Sequence, residues 1–157
     1  MTPARKARVA LLDVNVLIAL IDPRHVHHDR CHAWFAARGN TAWASCALTQ
    51  NAVLRIVGHP RYPNSPGSPA LVSAVLQNLL NHPQHEFWGE APSLLQLPHV
   101  DPAALLDSGQ ITDTYLLALA AERRGVLASL DSRLSTRAVQ GGAEALELIG
   151  PGDAGSS

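Results

Sequence analysis

The sequence predicts an α/β fold in which a parallel sheet is covered by helices on both faces. Short apolar runs alternate with longer stretches of helical spacing, and strands that alternate with helices form parallel sheets. Two of the apolar runs end directly in an aspartate, Asp13 and Asp131, and a third aspartate, Asp113, stands near the start of a regular helix. The length of 157 residues fits one domain with a sizeable core.

The expected elements follow one another in a regular order, with glycine or proline near most boundaries. Buried strands are expected at 8–13, 41–46, 85–88, 126–130 and 145–149. Helices are expected at 14–21, 25–38, 50–57, 70–80 and 113–124, with a helical turn at 101–106. In the second helix the inward residues are expected to be Val26, Ala33, Trp34 and Ala37.

The segment 59–69 contains four prolines and is expected to be a loop within the domain. Thr112 is the candidate N-cap of the helix at 113–124, and Gly125 is its expected C-terminal stop. Residues 1–149 are expected to form a single domain. Residues 150–157, which are mostly glycine, serine and proline, are expected to form a flexible tail.

The composition excludes several classes of protein. Hydrophobic residues make up 46 % and charged residues 16 %, so the chain is not disordered. No apolar stretch reaches the roughly 18 residues of a membrane span. The net charge of −1 argues against a basic surface that holds nucleic acid tightly, although it allows a nuclease that meets RNA transiently. Cys31 and Cys46 have no metal-type spacing and are expected to be buried thiols in a reducing cytoplasm.

The three aspartates are the strongest functional signal. In an open parallel sheet, ligands bind outside the carboxyl ends of the strands, so Asp13, Asp113 and Asp131 are expected to meet in one crevice. Clustered carboxylates repel one another, and a divalent cation is the usual reason to assemble them. Mg²⁺ takes oxygen ligands and needs only one or two carboxylates beside water and substrate phosphate.

Three segments then resemble one family. The segments 11–18, LLDVNVLI, 112–120, TDTYLLALA, and 127–131, LASLD, are similar in order and spacing to motifs of PIN domains. The segments 43–51, WASCALTQN, and 55–57, RIV, resemble the VapC-type toxins of bacterial toxin–antitoxin pairs. The likeness runs from about residue 9 to residue 149 and therefore covers nearly the whole chain.

The resemblance implies a three-layer α/β/α fold with a central parallel sheet of about four to five strands. It also implies a Mg²⁺- or Mn²⁺-dependent ribonuclease whose metal is held by Asp13, Asp113 and Asp131. Many PIN domains have a glutamate where this chain has Gln50. A glutamine can hydrogen-bond a metal-bound water, but it adds neither charge nor a proton acceptor, which makes a second metal doubtful.

Smaller candidates stand beside these aspartates. Side chains suited to orienting a carboxylate or touching substrate are Asn15, Thr49, Thr112, Ser129 and Arg55. A histidine cluster at 25–32 has two members four residues apart that could bind Zn²⁺, but a partly exposed helix start explains the cluster better.

The function expected from the sequence is that of a metal-dependent endoribonuclease, the toxin of a toxin–antitoxin pair. The alternative is a catalytically weak PIN module that acts by binding RNA or protein, because Gln50 replaces the usual acid. A phosphatase of another α/β fold is disfavoured, since its second aspartate would stand where Asn15 stands. Expected partners are an RNA substrate, a cognate antitoxin and a second copy of the chain, with no membrane. Trp34 and the helix around it supply the apolar area expected at the dimer contact.

Overall fold

Five parallel strands form the centre of the molecule in the computed structural model, which describes residues 8–150. The strands are β1 (Ala10–Leu12), β2 (Trp43–Cys46), β3 (His85–Trp88), β4 (Val126–Ser129) and β5 (Leu146–Leu148). Their order across the sheet is β3-β2-β1-β4-β5, and all neighbouring pairs are parallel. The predicted α/β class and strand number are therefore confirmed. The expected tail at 150–157 lies outside the described residues except for Gly150.

Helices cover both faces of the sheet. They are α1 (Val14–Ile21), α2 (His28–Ala37), α3 (Ala47–Val57), α4 (Pro69–Leu80) and α5 (Ile111–Glu122). Helices α1, α3 and α4 pack together on one face with α2 against α1, and α5 packs on β1 and β4. In residues 8–150 no helix is both long enough and apolar enough to cross a membrane.

The two central strands separate two hydrophobic cores. Alternate side chains of a strand point to opposite faces, so Leu12 joins the core beneath α1, whereas Leu11 joins the core beneath α5. All residues of β1 and β4 are buried, as expected for strands covered on both faces. Their register pairs Leu12 with Ala128. The next residue of each strand, Asp13 and Ser129, therefore lies at the same carboxyl edge.

The prediction for the second helix was wrong at its start and on its inward face. The helix begins at His28, because the preceding residues form a turn in which the Asp22 carboxylate accepts from the Arg24 amide at 3.0 Å. Val26 lies before the helix and is 84 % exposed. The residues of α2 that face inward are Cys31, Trp34 and Phe35, whereas Ala33 and Ala37 are exposed.

Two other helices begin earlier than the sequence predicts. Helix α3 begins at Ala47 rather than residue 50, because Thr49 Oγ1 accepts from the Cys46 amide at 3.1 Å and donates to the Cys46 carbonyl at 3.0 Å. Helix α5 begins at Ile111, directly after a 3-10 turn at Ser108–Gln110. Its N-cap position is Gln110, so the assignment of Thr112 as N-cap was wrong. The helical turn expected at 101–106 is a 3-10 turn at Pro102–Ala104.

A buried carboxylate fastens the proline-rich loop to the end of α1. Asp22 accepts hydrogen bonds from the Tyr62 hydroxyl and from Asn64 Nδ2, the latter at 2.9 Å. Burial alone would raise the pKa of Asp22, but these hydrogen bonds and that of the Arg24 amide outweigh it and lower the pKa. The loop ends at Ser68, whose hydroxyl caps α4 in front of Pro69.

Gly125 follows α5 for a different reason than predicted. The left-handed backbone conformation after the helix belongs to Arg124, with φ of 58°. Gly125 instead allows two backbone segments to meet. A Cβ at this position would lie 2.5 Å from the Val9 carbonyl oxygen and 2.9 Å from Cη2 of Trp88.

Replacing Gly125 with alanine is expected to destabilise the protein by about 1–3 kcal/mol, because β1 and Trp88 must move to admit the methyl group. Gly109→Ala is the matched control, since its new Cβ would lie 3.5 Å from Asp107 Oδ1, at ordinary contact distance. Chemical denaturation of both variants measures the difference. Equal stability of the two variants would contradict the close packing at Gly125.

Candidate active site

Asp13 forms the base of the site at the junction of β1 and α1. It is the N-cap of α1, and its Oδ1 accepts a hydrogen bond from the Val14 amide at 2.7 Å. Its Oδ2 accepts from the Ser129 hydroxyl, also at 2.7 Å. The residue is only 5 % exposed. Burial raises the pKa of Asp13 above its usual value, against the hydrogen bonds from Ser129 and Val14, and the charge of Asp131 raises it further.

Ser129 and Asn15 connect Asp13 with the loop that carries Asp131. Ser129 Oγ accepts from Asn15 Nδ2 at 3.3 Å and from the Asp131 amide at 3.1 Å. Asn15 Oδ1 accepts from the Leu130 amide at 3.2 Å. Both side chains therefore lie beside the acidic residues, where the sequence predicts them.

Asp131 lies at the rim of the site. Its Oδ1 accepts from the Arg133 amide at 2.9 Å, and the Arg133 Nε lies 3.8 Å from the same oxygen. The Asp131 side chain is 37 % exposed and that of Arg133 is 94 % exposed, and such exposed ion pairs contribute little stability. The Asp131 carboxylate is therefore accessible from solvent.

Asp113 approaches from the opposite layer, in the first turn of α5. Burial raises the pKa of Asp113 to about 6, with further contributions from the charges of Asp13 and Asp131. No hydrogen bond from the described part of the chain reaches the Asp113 carboxylate. Asp113 is thus close enough to the other two aspartates for their charges to act on it, and its carboxylate has no hydrogen-bond partner in the described residues.

These residues fit a hard divalent cation that binds through oxygen and water. Within residues 8–150, no three His, Cys, Asp or Glu side chains are gathered closely enough to surround a metal ion on their own. An unpartnered carboxylate with a raised pKa, beside two further carboxylates, is nevertheless an arrangement that a cation relieves. Mg²⁺ keeps several waters and needs few protein ligands.

Gln50 and Thr49 lie in the first half of α3 and make contacts other than with the aspartates. Gln50 Nε2 donates to Ser45 Oγ at 2.9 Å. Thr49 is buried, and its hydroxyl contacts Cys46 at the helix start. Arg55 is exposed in the last turn of α3, and no side-chain contact of it is seen within residues 8–150. Their predicted roles in catalysis or substrate binding stay predictions.

An open cleft of about 620 Å³ lies next to the start of α5. Its wall is mostly apolar and includes exposed Thr112, next to Asp113 in the chain. The main apolar residues of the wall are Leu48, Leu94, Leu95, Leu105 and Ile111. This cleft could not be predicted from the sequence, because the segment 89–100 has neither a helical nor a strand pattern.

Two residues that sequence analysis did not single out are connected to Gln50, Ser45 directly and His85 through Ser45. Ser45 Oγ lies 2.7 Å from His85 Nε2 as well as contacting Gln50. Nothing in the sequence links positions 45 and 85, since only the pairing of β2 with β3 brings them together.

The histidine cluster has a structural role at the end of α1. His28 Nδ1 lies 2.7 Å from the Ala19 carbonyl oxygen, and His32 Nε2 lies 3.0 Å from the Leu20 carbonyl oxygen. These carbonyl groups belong to the last turn of α1, where the helix supplies no internal partner. The contacts favour the helix-start interpretation over a zinc site.

Comparison with known proteins agrees with the geometry. The family model of the PIN domain matches residues 10–139. The chain belongs to the PIN-domain family. It is 43 % identical over 132 residues to Ribonuclease VapC44 of Mycobacterium tuberculosis, a match that covers 84 % of this chain and 92 % of the relative. It is 35 % identical over 137 residues to Ribonuclease VapC39 of the same species, covering 87 % and 99 % respectively.

The fold is also that of a solved structure. The crystal structure of PAE2754 from Pyrobaculum aerophilum superimposes with a TM-score of 0.53 and 20 % identity. The match covers 89 % of this PIN domain chain and 83 % of that protein. At this identity the comparison bears on the fold alone, and it supports the three-layer arrangement.

Asp113→Asn is expected to stabilise this PIN domain at neutral pH. The folded-state pKa of about 6 exceeds the ordinary value of 3.8, so folding opposes ionisation of Asp113. The resulting destabilisation is absent below pH 4, grows between pH 4 and 6, and is complete above pH 6. Melting temperatures without added metal should therefore be higher for the variant at pH 7.5 and equal to those of the wild type at pH 4.

Glu90→Gln serves as the control for this measurement, because it removes a carboxylate from an exposed position. A melting temperature for Asp113→Asn at or below that of the wild type at pH 7.5 would contradict the destabilisation inferred from burial and repulsion of Asp113.

Proposed function

We propose that the chain is a divalent-metal-dependent endoribonuclease and the toxin of a toxin–antitoxin pair. The observation that carries the proposal is the meeting of Asp13, Asp113 and Asp131 from three elements at the carboxyl edge of β1 and β4. The pKa of Asp13 is raised by Asp131, and the pKa of Asp113 is raised by both other aspartates. Relatives named as ribonucleases, matched over most of their length, support RNA as the substrate.

Each aspartate has a distinct part in this proposal. Asp13 and Asp113 would hold the ion, and Asp131, at the exposed rim, would orient a water molecule beside it. Mg²⁺ or Mn²⁺ bound there supplies a nucleophilic water and neutralises the charge that develops on the phosphate. Ser129 and Asn15 fix the orientation of Asp13 and of the backbone at Asp131 through the hydrogen bonds described above.

The remaining candidates contact substrate or water in this proposal. Exposed Arg55 binds a phosphate of the RNA, and exposed Thr112 contacts substrate beside Asp113. Thr49 acts indirectly by fixing the first turn of α3, on which Gln50 lies. Gln50 contributes a hydrogen bond without charge, so one metal ion is sufficient for the proposed reaction.

Asp13→Asn and Asp113→Asn should each reduce metal-dependent RNA cleavage by more than about a hundredfold, since even residues that only support metal ligands commonly contribute 10–100-fold. Both variants should remain folded. Cleavage of a mixed single-stranded and hairpin RNA is measured after chelation and return of Mg²⁺ or Mn²⁺. Asp29→Asn, on the exposed part of α2, is the control. Full activity of Asp13→Asn would rule out the assigned ligand.

A second candidate function is that of a weak PIN module that acts by binding RNA or protein. The observation in its favour is Gln50, which lacks the carboxylate of many PIN domains and contacts Ser45 rather than an aspartate. Comparing RNA binding with RNA cleavage in excess Mg²⁺ separates the two functions. Binding without cleavage in the wild type, and unchanged binding in Asp13→Asn, would favour the second.

The proposed antitoxin is a small protein that supplies apolar side chains and an arginine. The cleft beside Thr112 has a mostly apolar wall and one carboxylate, Glu90, which suits a peptide better than a phosphate backbone. An arginine from the same partner can pair bidentately with the nearby aspartates. Inhibition then follows from exclusion of the metal and the RNA together.

A homodimer also stays part of the proposal, and the role of Trp34 at its contact stays a prediction. Trp34 is half-buried, its Nε1 donates to Glu147 Oε2 at 2.6 Å, and the Arg38 guanidinium lies over its ring. Trp34 therefore makes part of its contacts within the monomer.

We place the protein in the cytoplasm, where RNA is present and where Cys31 and Cys46, both free and buried, stay reduced.

Expression of the wild-type chain alone should arrest bacterial growth, whereas Asp13→Asn should not. Co-expression of the small open reading frame upstream of its own gene should restore growth, because the encoded partner blocks the acidic site. Colony counts after induction measure both effects. Uninterrupted growth with soluble wild-type protein confirmed on a gel would favour the weak PIN module.

A further inference from the structure

A short chain of hydrogen bonds connects Gln50 with the edge strand of the sheet. Gln50 Nε2 lies 2.9 Å from Ser45 Oγ, and Ser45 Oγ lies 2.7 Å from His85 Nε2. Ser45 is completely buried, so no solvent competes for its hydroxyl. This series of hydrogen bonds runs from α3 through β2 to β3 and includes none of the three aspartates.

The direction of these hydrogen bonds follows from the number of protons available. The His85 ring also lies near the backbone carbonyl of Leu80, which can only accept and which raises the His85 pKa. A neutral imidazole has a single N–H. If Nδ1 carries that proton for Leu80, Nε2 must accept from Ser45. The only proton of Ser45 is then used, and its oxygen accepts from the Gln50 amide.

The surroundings of His85 favour the neutral ring that this direction requires. Burial lowers the pKa of His85 below its usual value, and the charge of His82 lowers it further. The Leu80 carbonyl and Glu86 act in the opposite sense without reversing the shift. The indole ring of Trp43, whose centroid lies 4.6 Å from that of His85, adds no charge.

At the other end of this series of hydrogen bonds, the contact with Ser45 determines which group Gln50 presents to solvent. Its Nε2 is used by Ser45, whereas Oε1 accepts no hydrogen bond in residues 8–150 and is not one of the buried unpaired atoms. Helix α3 starts at the carboxyl end of β2, beside β1 and therefore at the sheet edge that carries Asp13. The free group at this edge is thus a carbonyl oxygen.

We propose that Ser45 and His85 are positioning residues that hold the Gln50 amide with its carbonyl oxygen outward, as the acceptor for a water molecule in the catalytic crevice. The catalytic part of this proposal rests on the proposed ribonuclease function. The proton arrangement does not, because it is a property of the folded protein alone.

The arrangement links the residue at position 50 to the charge of His85. A glutamate in place of Gln50 has only acceptor oxygens at neutral pH, so Ser45 would turn its proton toward it. His85 would then have to donate from both ring nitrogens, to Ser45 and to Leu80, which requires the imidazolium ion. The hydrogen bonds of Gln50 thus require a neutral His85.

Nitrogen-15 NMR of the full-length protein, titrated from pH 5 to 9 without metal, tests the proton arrangement. The wild type should show His85 protonated at Nδ1 alone at pH 7.5. Gln50→Glu should raise the His85 pKa by about one unit or more, since it adds a charge that only the imidazolium satisfies. Gln140→Glu adds the same charge at an exposed position and should leave the His85 pKa unchanged.

Removing the hydroxyl of Ser45 should make the His85 pKa less sensitive to the residue at position 50. In the double variant Ser45→Ala with Gln50→Glu, the rise of the His85 pKa should fall to less than half of that in Gln50→Glu. A proton on Nε2 in the wild type, or equal His85 pKa values in the wild type and Gln50→Glu, would overturn the proposal whether or not the protein cleaves RNA.

The catalytic part is tested by kinetics with saturating Mg²⁺. Ser45→Ala and Gln50→Ala should each lower kcat roughly tenfold, the effect of one lost hydrogen bond, with unchanged metal affinity. Because both act through the same amide, the double variant should lose no more than either one alone. Additive losses would overturn the positioning role. No cleavage by the wild type, with the NMR result as expected, would instead refute the ribonuclease function.

Discussion

The arrangement of the acidic site depends on the hydrogen bonds made by the hydroxyl group of Ser129. Ser129 ends β4 opposite the end of β1, and it joins Asp13, Asn15 and the Asp131 backbone through one oxygen atom. Since that oxygen accepts two hydrogen bonds, its only proton is directed to Asp13. The contact thus links the two central strands and holds Asp13 as an acceptor, the form in which a carboxylate binds a cation.

The rest of the fold compensates for the repulsion that this site creates. Burial and mutual repulsion raise the pKa values of Asp13 and Asp113, so ionisation of these carboxylates opposes folding. The opposing stabilisation comes from the fully buried central strands and from α1 and α5, which cover them on opposite faces. The acidic residues lie at the ends of these elements, where the backbone is rigid although the side chains repel. Such placement holds the carboxylates in position despite their repulsion.

The sequence predicted those parts of the fold that repeat a local pattern. The strands ending before Asp13 and Asp131 could be recognised because a buried parallel strand is an uninterrupted apolar run. The starts of α2 and α3 were missed because they depend on turns and on the contact of Thr49 with Cys46, which cover only a few residues. Helix boundaries are set by such caps rather than by periodicity.

The candidate site was predictable only in part, for a related reason. Asp13, Asp113 and Asp131 stand in motifs whose flanking residues can be read directly, and the structure brings them within electrostatic reach. The contact of Ser45 with His85 joins residues forty positions apart, and no local pattern reports it. The apolar cleft is formed by irregular backbone, for which the sequence has no period.

The anchoring of the proline-rich loop by Asp22 also affects how the molecule opens. A proline-rich surface loop between two helices is ordinarily a site of independent fluctuation and proteolytic nicking. Here release of the loop would remove the hydrogen bonds of Tyr62 and Asn64 from the buried Asp22 carboxylate at the end of α1. Loop opening is therefore coupled to loosening of the helical layer on that face. Hydrogen exchange in the loop accordingly reports the cooperativity of that layer rather than local motion.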